Sequence, residues 1–152
     1  MRPNLRRTVL GGVIGTILMT LMMYFVSPVM TGHRMDIAAS LGSMMWDNWY
    51  LGMMAHVAMG AVVFPLVFAY IMYGVLPGAP WLKGLLCGLI LWVMAQVVVM
   101  PMMGGGIFSS RIGGMPAAIG SLLAHGLYGF ALGFLAGEPV QEPAHEQASR
   151  TV

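Results

Sequence analysis

Two stretches of the chain decide its fold, GTILMTLMMYFVSPVM at Gly15–Met30 and GLILWVMAQVVVMPMM at Gly88–Met103. Neither contains Asp, Glu, Lys or Arg, and both carry a glycine and a proline at the same separation. Runs this apolar are typical of segments that cross the hydrocarbon core of a membrane, which takes about 20 helical residues. Backbone amides in lipid must find partners within their own structure, and unbroken apolarity favours helices over the alternating strands of a barrel.

The composition indicates that lipid is the solvent for most of the chain. Hydrophobic residues make up 59% of the 152 residues and charged residues only 8%, whereas a soluble domain carries roughly 25% charged residues. The few basic residues form no stripe along a face, so we predict no nucleic-acid partner. The lone Cys87 stands in an apolar run, which predicts a buried free thiol.

Four runs without charged residues predict four membrane-spanning helices. The predicted spans are Val9–Met30, Leu51–Leu76, Gly84–Met103 and Pro116–Ala136. Together they form one membrane domain over residues 1–137. Residues 138–152 are polar, contain prolines and lack apolar periodicity, which predicts a disordered cytoplasmic tail.

The distribution of basic residues predicts the orientation of these helices. Five basic residues fall on the side of the termini, namely Arg2, Arg6, Arg7, Lys83 and Arg150. Only Arg34 and Arg111 fall on the other side. Because basic residues accumulate on the cytoplasmic side, we expect a multi-pass protein of the bacterial inner membrane with both termini in the cytoplasm.

An internal repeat relates the two halves of the chain. Besides the two stretches quoted above, the second and fourth spans contain AHVAMG at Ala55–Gly60 and AHGLYG at Ala124–Gly129, which pairs His56 with His125. The sequence therefore predicts an all-α, four-transmembrane-helix bundle built from two tandem parallel hairpin repeats, related by an axis along the membrane normal. The paired histidines would lie at matching depths, nearer the outer face.

These histidines suggest a cofactor site, because ionisable side chains are rare inside membranes. Two neutral imidazoles on facing helices can ligate one haem b iron axially, which makes His56 and His125 candidate haem ligands. Gly60 and Gly129, one turn further along, would give a flat macrocycle room near the backbone. Hydrogen bonding across the bundle is the alternative role for both imidazoles.

The methionines suggest a second kind of site. The chain has 17 of them, many toward the predicted outer side, and thioethers select Cu(I) over hard cations. The candidate copper ligands are His33, Met30, Met35, Met102 and Met103. Alternatively, these methionines fill irregular gaps between helices.

Small residues and prolines predict how the helices pack and bend. Glycines recur four residues apart at Gly11 and Gly15, Gly84 and Gly88, and Gly129 and Gly133. Such pairs let membrane helices approach closely. Pro28, Pro65 and Pro101 predict kinks. In the first outer loop, Met35–Met45 resembles a short interfacial segment, and Asp36 is expected to pair with a loop arginine.

The chain resembles an uncharacterised bacterial family of four-helix inner-membrane proteins. The resemblance rests on MDIAASLG (Met35–Gly42), LPGAPWLKG (Leu76–Gly84), LILWVMAQVVVMPMMGGGIF (Leu89–Phe108) and GSLLAHGLYG (Gly120–Gly129), and it spans about Gly11 to Gly137. It implies the four-helix fold. It implies no activity, because the family has none assigned.

Catalysis receives little support from the sequence. No carboxylate lies inside a span, and no Ser/His/Asp set is evident. We therefore predict a small non-enzymatic membrane protein, an accessory or assembly subunit of a membrane complex. Its expected partners are the lipid bilayer and either other membrane subunits or further copies of itself. A haem b electron-transfer protein and a Cu(I)-handling protein are the alternatives, and the cofactor stays open.

Overall fold

The computed structural model describes residues 3–32 and 34–137, and the regular structure in them is helical. The predicted tail, residues 138–152, lies outside them. Within the described ranges the helices are α1 (Leu5–Val29), α2 (Ile37–Gly42), α3 (Trp49–Val75), α4 (Pro80–Met102) and α5 (Gly114–Ala136). All but α2 are long and apolar enough to cross a membrane. The predicted all-helical fold with four spans is confirmed, and it indicates a multi-pass membrane protein.

The helices begin earlier than the apolar runs do. The side chain of Asn4 accepts a hydrogen bond from the Arg7 backbone N–H at 3.2 Å, so α1 begins at Leu5 rather than at the predicted Val9. Similarly, α4 begins at Pro80, whose fixed φ suits a first helical turn. Hydropathy marks the part of a helix that lipid surrounds, whereas capping residues mark where the helix starts.

Three of the long helices widen into a π-helical turn just before a proline. These turns are Met22–Val26, Met59–Val63 and Ala95–Val99, ahead of Pro28, Pro65 and Pro101. Proline has no N–H, and its ring crowds the carbonyl one turn earlier, so the ordinary hydrogen-bond pattern fails there. At the predicted kink sites the helices thus continue through a widened turn.

Glycines bring the helices together near the termini. Helix α5 lies between α1 and α4 and packs against both, whereas α3 packs against α1 and the short helix α2. A Cβ added at Gly84 would collide with the backbone of Gly129 and Gly133, and one added at Gly15 would press on Tyr128. The predicted close packing at small residues is therefore confirmed.

The bundle presents large apolar side chains outward. The more exposed of them include Ile17, Phe25, Tyr70, Val75 and Phe134. A lipid-facing surface needs no polar cover, so this exposure suits helices surrounded by hydrocarbon. Below, the termini half of the bundle means the half near Leu5 and Ala136, and the loop half means the half near Val29 and Trp49.

The two hairpins share local features and differ in packing. The π-helical turns Met22–Val26 and Ala95–Val99 occupy matching positions in α1 and α4. Within each hairpin the helices cross at the glycine that follows the histidine by one turn, Gly60 or Gly129. Nevertheless, α5 contacts both α1 and α4 extensively, and α3 does not. The duplication stays a prediction that these shared features favour.

Candidate functional site

A partly open cavity of about 180 Å³ lies between the helices of the bundle. Side chains from all four long helices line it, together with residues of α2 and the loop before it. Tyr128 and Thr16 lie at its end toward the termini half, and Met35 and Met103, from the two loops, lie at the other end. The cavity therefore extends from the middle of the bundle into the loop half.

His56 and His125 both line this cavity, as a shared site requires. One ring nitrogen of each is held by a hydrogen bond. His56 Nε2 lies 2.9 Å from the hydroxyl of Thr20 on α1. His125 Nδ1 lies 2.8 Å from the carbonyl oxygen of Ser121, one turn earlier on α5. The remaining nitrogen of each ring has no hydrogen-bond partner recorded among the described residues.

Seven methionines line the same cavity. They are Met19, Met23, Met35, Met59, Met94, Met100 and Met103. Of the predicted copper ligands, Met35 and Met103 are among them, whereas Met102 is 64% exposed and does not line the cavity. His33 and the side chain of Met30 lie outside the residues that the structure describes. The structure thus brings together only part of the predicted set and adds five methionines.

The π-helical turn Met59–Val63 of α3 contributes Met59 and Gly60 to the end of the cavity toward the termini half. The Phe64 N–H bonds to the carbonyl of Met59 instead of that of Gly60. The next residue, Pro65, has no N–H, so Gly60 loses its helical partner. The hydroxyl of the buried Tyr128 donates to the Gly60 carbonyl at 2.8 Å and fills that role. This bond ties α5 to α3 directly beside the histidines.

Helix α2 covers the end of the cavity in the loop half of the bundle. The side chain of Asp36 holds α2 in place through hydrogen bonds. The carboxylate accepts hydrogen bonds from the Tyr24 hydroxyl at 2.7 Å, the Ala39 N–H at 2.9 Å and Trp49 Nε1 at 3.1 Å. Partial burial opposes ionisation, but these hydrogen bonds outweigh it and hold the pKa of Asp36 below its ordinary value. The sequence predicted that Asp36 pairs with a loop arginine. Instead, Tyr24, Ala39 and Trp49 donate hydrogen bonds to its carboxylate.

Two glycines do not play the role expected of them. Gly60 and Gly129 were expected to leave room for a macrocycle. A Cβ at Gly129 would collide with Gly84, and one at Gly60 would collide with the side chain of Thr16. Both glycines are therefore used for helix crossing; Gly129 does not line the cavity, whereas Gly60 does.

A family comparison covers nearly the whole chain. The model of DUF6789, described as a family of unknown function, matches residues 3–147. The chain belongs to this family. This membership agrees with the resemblance noted from the sequence motifs, and the family's description assigns no activity. No curated protein and no solved structure matches the chain at a significant level.

Two other buried residues, Gln96 and Cys87, do not line the cavity. Gln96 is fully buried, and its side-chain oxygen accepts a hydrogen bond from the Ser109 hydroxyl at 2.9 Å. Neither residue lines the cavity. Cys87 is a buried free thiol, as predicted.

Sequence reasoning missed several residues of the site. Thr20 holds His56 from a different helix, and no local pattern connects two positions so far apart. Met19 and Met23, in contrast, stand four residues apart on α1, which places both on one helix face. That spacing was a usable signal.

Proposed function

We propose that this protein is a non-enzymatic membrane protein that binds Cu(I) inside its helical bundle and serves a membrane complex as an accessory or assembly subunit. One observation carries the proposal: two histidines and seven methionines line a single cavity between the spans, although Met59 and Met94 are also partly exposed on the bundle surface. Methionines could simply fill gaps, but gap-filling does not account for their collection around a space that also receives both paired histidines.

The chemistry of this lining favours a soft metal ion. Thioethers are soft ligands that select Cu(I), and neutral imidazole binds copper as well. None of the described lining residues carries a carboxylate, the ligand that Mg²⁺ and Ca²⁺ require. A monovalent ion also brings less charge into an apolar site than a divalent ion does.

The lining offers no evident catalytic machinery. Ser121 Oγ lies 3.4 Å from His125 Nδ1. That nitrogen donates a hydrogen bond to the carbonyl oxygen of Ser121, so it has no free lone pair with which to act as a base for the hydroxyl. Without a carboxylate to orient the imidazole, a triad is incomplete. These features support a binding role rather than an enzymatic one.

The proposed orientation determines from which side of the membrane copper would enter the site. Arg6, Arg7 and Lys83 lie at the termini half, which we place in the cytoplasm of a bacterial inner membrane. The cavity would then lie in the outer half of the bilayer, beneath α2. Copper would reach it from the periplasm, and a neighbouring membrane subunit or a second copy of the chain would receive it.

A titration of the protein tests this proposal. The purified protein in detergent, kept anaerobic, competes for Cu(I) with a coloured chelator. We expect it to take up Cu(I) tightly, and Met100→Leu to weaken the affinity by about tenfold or more. Met102→Leu is the matched control, because Met102 is two residues away and off the cavity. A protein that takes no Cu(I) from the chelator, or equal losses in both variants, would contradict the proposal.

Haem b is the second candidate, because His56 and His125 share the cavity. Two observations count against it. Gly129, expected to make room, is packed against α4 and does not line the cavity, and His56 Nε2 is held by Thr20. A visible spectrum separates the two. A Soret band that disappears in both His56→Ala and His125→Ala would favour haem, and a colourless protein after haem addition would exclude it.

A further inference from the structure

The two cavity histidines are held through different ring nitrogens. A neutral imidazole has one N–H and one lone pair, and the hydrogen bond at one nitrogen decides which nitrogen is free to bind a metal. His125 is held at Nδ1 and His56 at Nε2. The two rings therefore offer unlike nitrogens to a ligand.

His125 is the simpler of the two. The carbonyl oxygen of Ser121 can only accept a hydrogen bond, so Nδ1 of His125 must carry the proton. The lone pair is then on Nε2, at the far edge of the ring. A backbone carbonyl on Nδ1 is a common way to orient a metal-binding imidazole.

His56 is held through a chain of two hydrogen bonds on α1. The Thr20 hydroxyl donates its one hydrogen to the carbonyl oxygen of Thr16 at 2.7 Å. This contact is shorter than the 2.9 Å between the hydroxyl and Nε2 of His56, which favours a hydroxyl that accepts from His56; Nε2 then carries the proton and Nδ1 the lone pair. The matching position in the second hairpin is Val93, which has no hydroxyl.

We propose that Thr20 is a positioning residue that fixes the tautomer of His56, so that the site presents Nδ1 of His56 and Nε2 of His125. As it concerns copper, this inference rests on the proposed function. It also bears on the choice of ligand. Nδ1 adjoins the ring carbon that carries the rest of the side chain, so a planar macrocycle bound there would meet the helix. A small ion would not.

Nuclear magnetic resonance of the metal-free protein tests the tautomers first. In protein labelled with ¹⁵N-histidine, long-range ¹H–¹⁵N correlations distinguish a protonated Nε2 from a protonated Nδ1. His56→Gln and His125→Gln assign the signals. We expect the Nε2–H form at His56 and the Nδ1–H form at His125. The Nδ1–H form at His56 in the unsubstituted protein would overturn the proposal.

A pair of substitutions at Thr20 then tests the positioning role. Thr20→Val keeps the shape and removes the hydroxyl, whereas Thr20→Ser keeps the hydroxyl. We expect Thr20→Val to mix the tautomers of His56 and to weaken Cu(I) affinity by about tenfold, and Thr20→Ser to restore both properties. Unchanged His56 signals and affinity in Thr20→Val would overturn the role. If Thr20→Val fails to fold, the spectra of the unsubstituted protein and Thr20→Ser still decide the tautomer.

The outcomes separate this inference from the proposed function. Expected tautomers in a protein that binds no Cu(I) would refute the copper site and leave the hydrogen-bond chain intact. Cu(I) binding that depends on Met100 but not on Thr20 would support the copper site and refute the role of Thr20.

Discussion

In the termini half and the loop half of the bundle, different side chains fill the space between the four long helices. Near the termini, glycines on α1, α4 and α5 let the backbones touch, and no room remains for a ligand between Gly84 and Gly129. Toward the loops, methionines and two histidines surround a cavity. The difference teaches that one helical bundle can be fastened rigidly at one end and left adaptable at the other, which suits a binding site.

The glycine contacts should give the largest effect on stability. A methyl group at Gly129 would collide with the backbone of Gly84 and Gly88, which cannot turn aside as a side chain can. We expect Gly129→Ala to lower the free energy of unfolding by about 3 kcal/mol. Thermal unfolding in detergent, followed by circular dichroism, measures this change.

The same helix provides a control for that prediction. A Cβ at Gly126 would meet nothing within 4 Å. Gly126→Ala should therefore leave stability unchanged or raise it by up to about 1 kcal/mol through helix propensity. Equal losses in the two variants would show that the closed packing of the termini half is not what the structure indicates.

The Asp36 contacts should give an intermediate effect, confined to the loop half. Asp36→Ala removes the acceptor for Tyr24, Ala39 and Trp49, and we expect a loss of about 1–2 kcal/mol. Hydrogen exchange should quicken mainly in Ile37–Gly42. Asp47→Ala serves as the control for charge removal in the same loop, and exchange that quickens equally there would contradict the role of Asp36.

The pH dependence of this region follows from the same carboxylate. The pKa of Asp36 is lower in the folded protein than its ordinary value of 3.8. Its contribution to stability is therefore fully present above that ordinary value and is lost as pH falls through the folded pKa. Unfolding measured from neutral to acidic pH should show this loss in the unsubstituted protein and a smaller one in Asp36→Ala. Parallel curves would contradict the assignment.

Tyr128 should give the smallest effect, at the boundary between the halves. Tyr128→Phe leaves the Gly60 carbonyl without its hydroxyl partner. Hydrogen bonds between membrane helices contribute about 0.6 kcal/mol on average, so we expect a loss of about that size. Tyr24→Phe removes a different hydroxyl on α1 and should not change the exchange rate of the α3 amides near Gly60, whereas Tyr128→Phe should. The reverse pattern would contradict this bond.

The sequence predicts the fold well because lipid imposes a simple rule. Long runs without charge had to be helices, and the three pairs of glycines named from the sequence indicated contacts between them. The pairing of His56 with His125 was also readable, because the two halves of the sequence match there. The structure then placed both rings on one cavity.

The composition of the site was less predictable, for two physical reasons. First, the π-helical turn Ala95–Val99 changes the rotation of the residues that follow, so helical periodicity does not tell that Met100 lines the cavity and Met102 does not. Second, Thr20 contacts His56 only when α1 packs against α3, and no local sequence pattern predicts that contact. The hydrogen bond from Trp49 to Asp36 likewise forms only in the folded protein.

X-ray absorption at the copper edge tests the central claim most directly. If Cu(I) binds in the cavity, the spectrum of the loaded protein should contain sulfur and nitrogen scatterers together. The sulfur contribution should fall in Met100→Leu and persist in Met102→Leu. A spectrum with nitrogen and oxygen scatterers alone, or one that both substitutions change equally, would show that copper is bound elsewhere and would contradict the account.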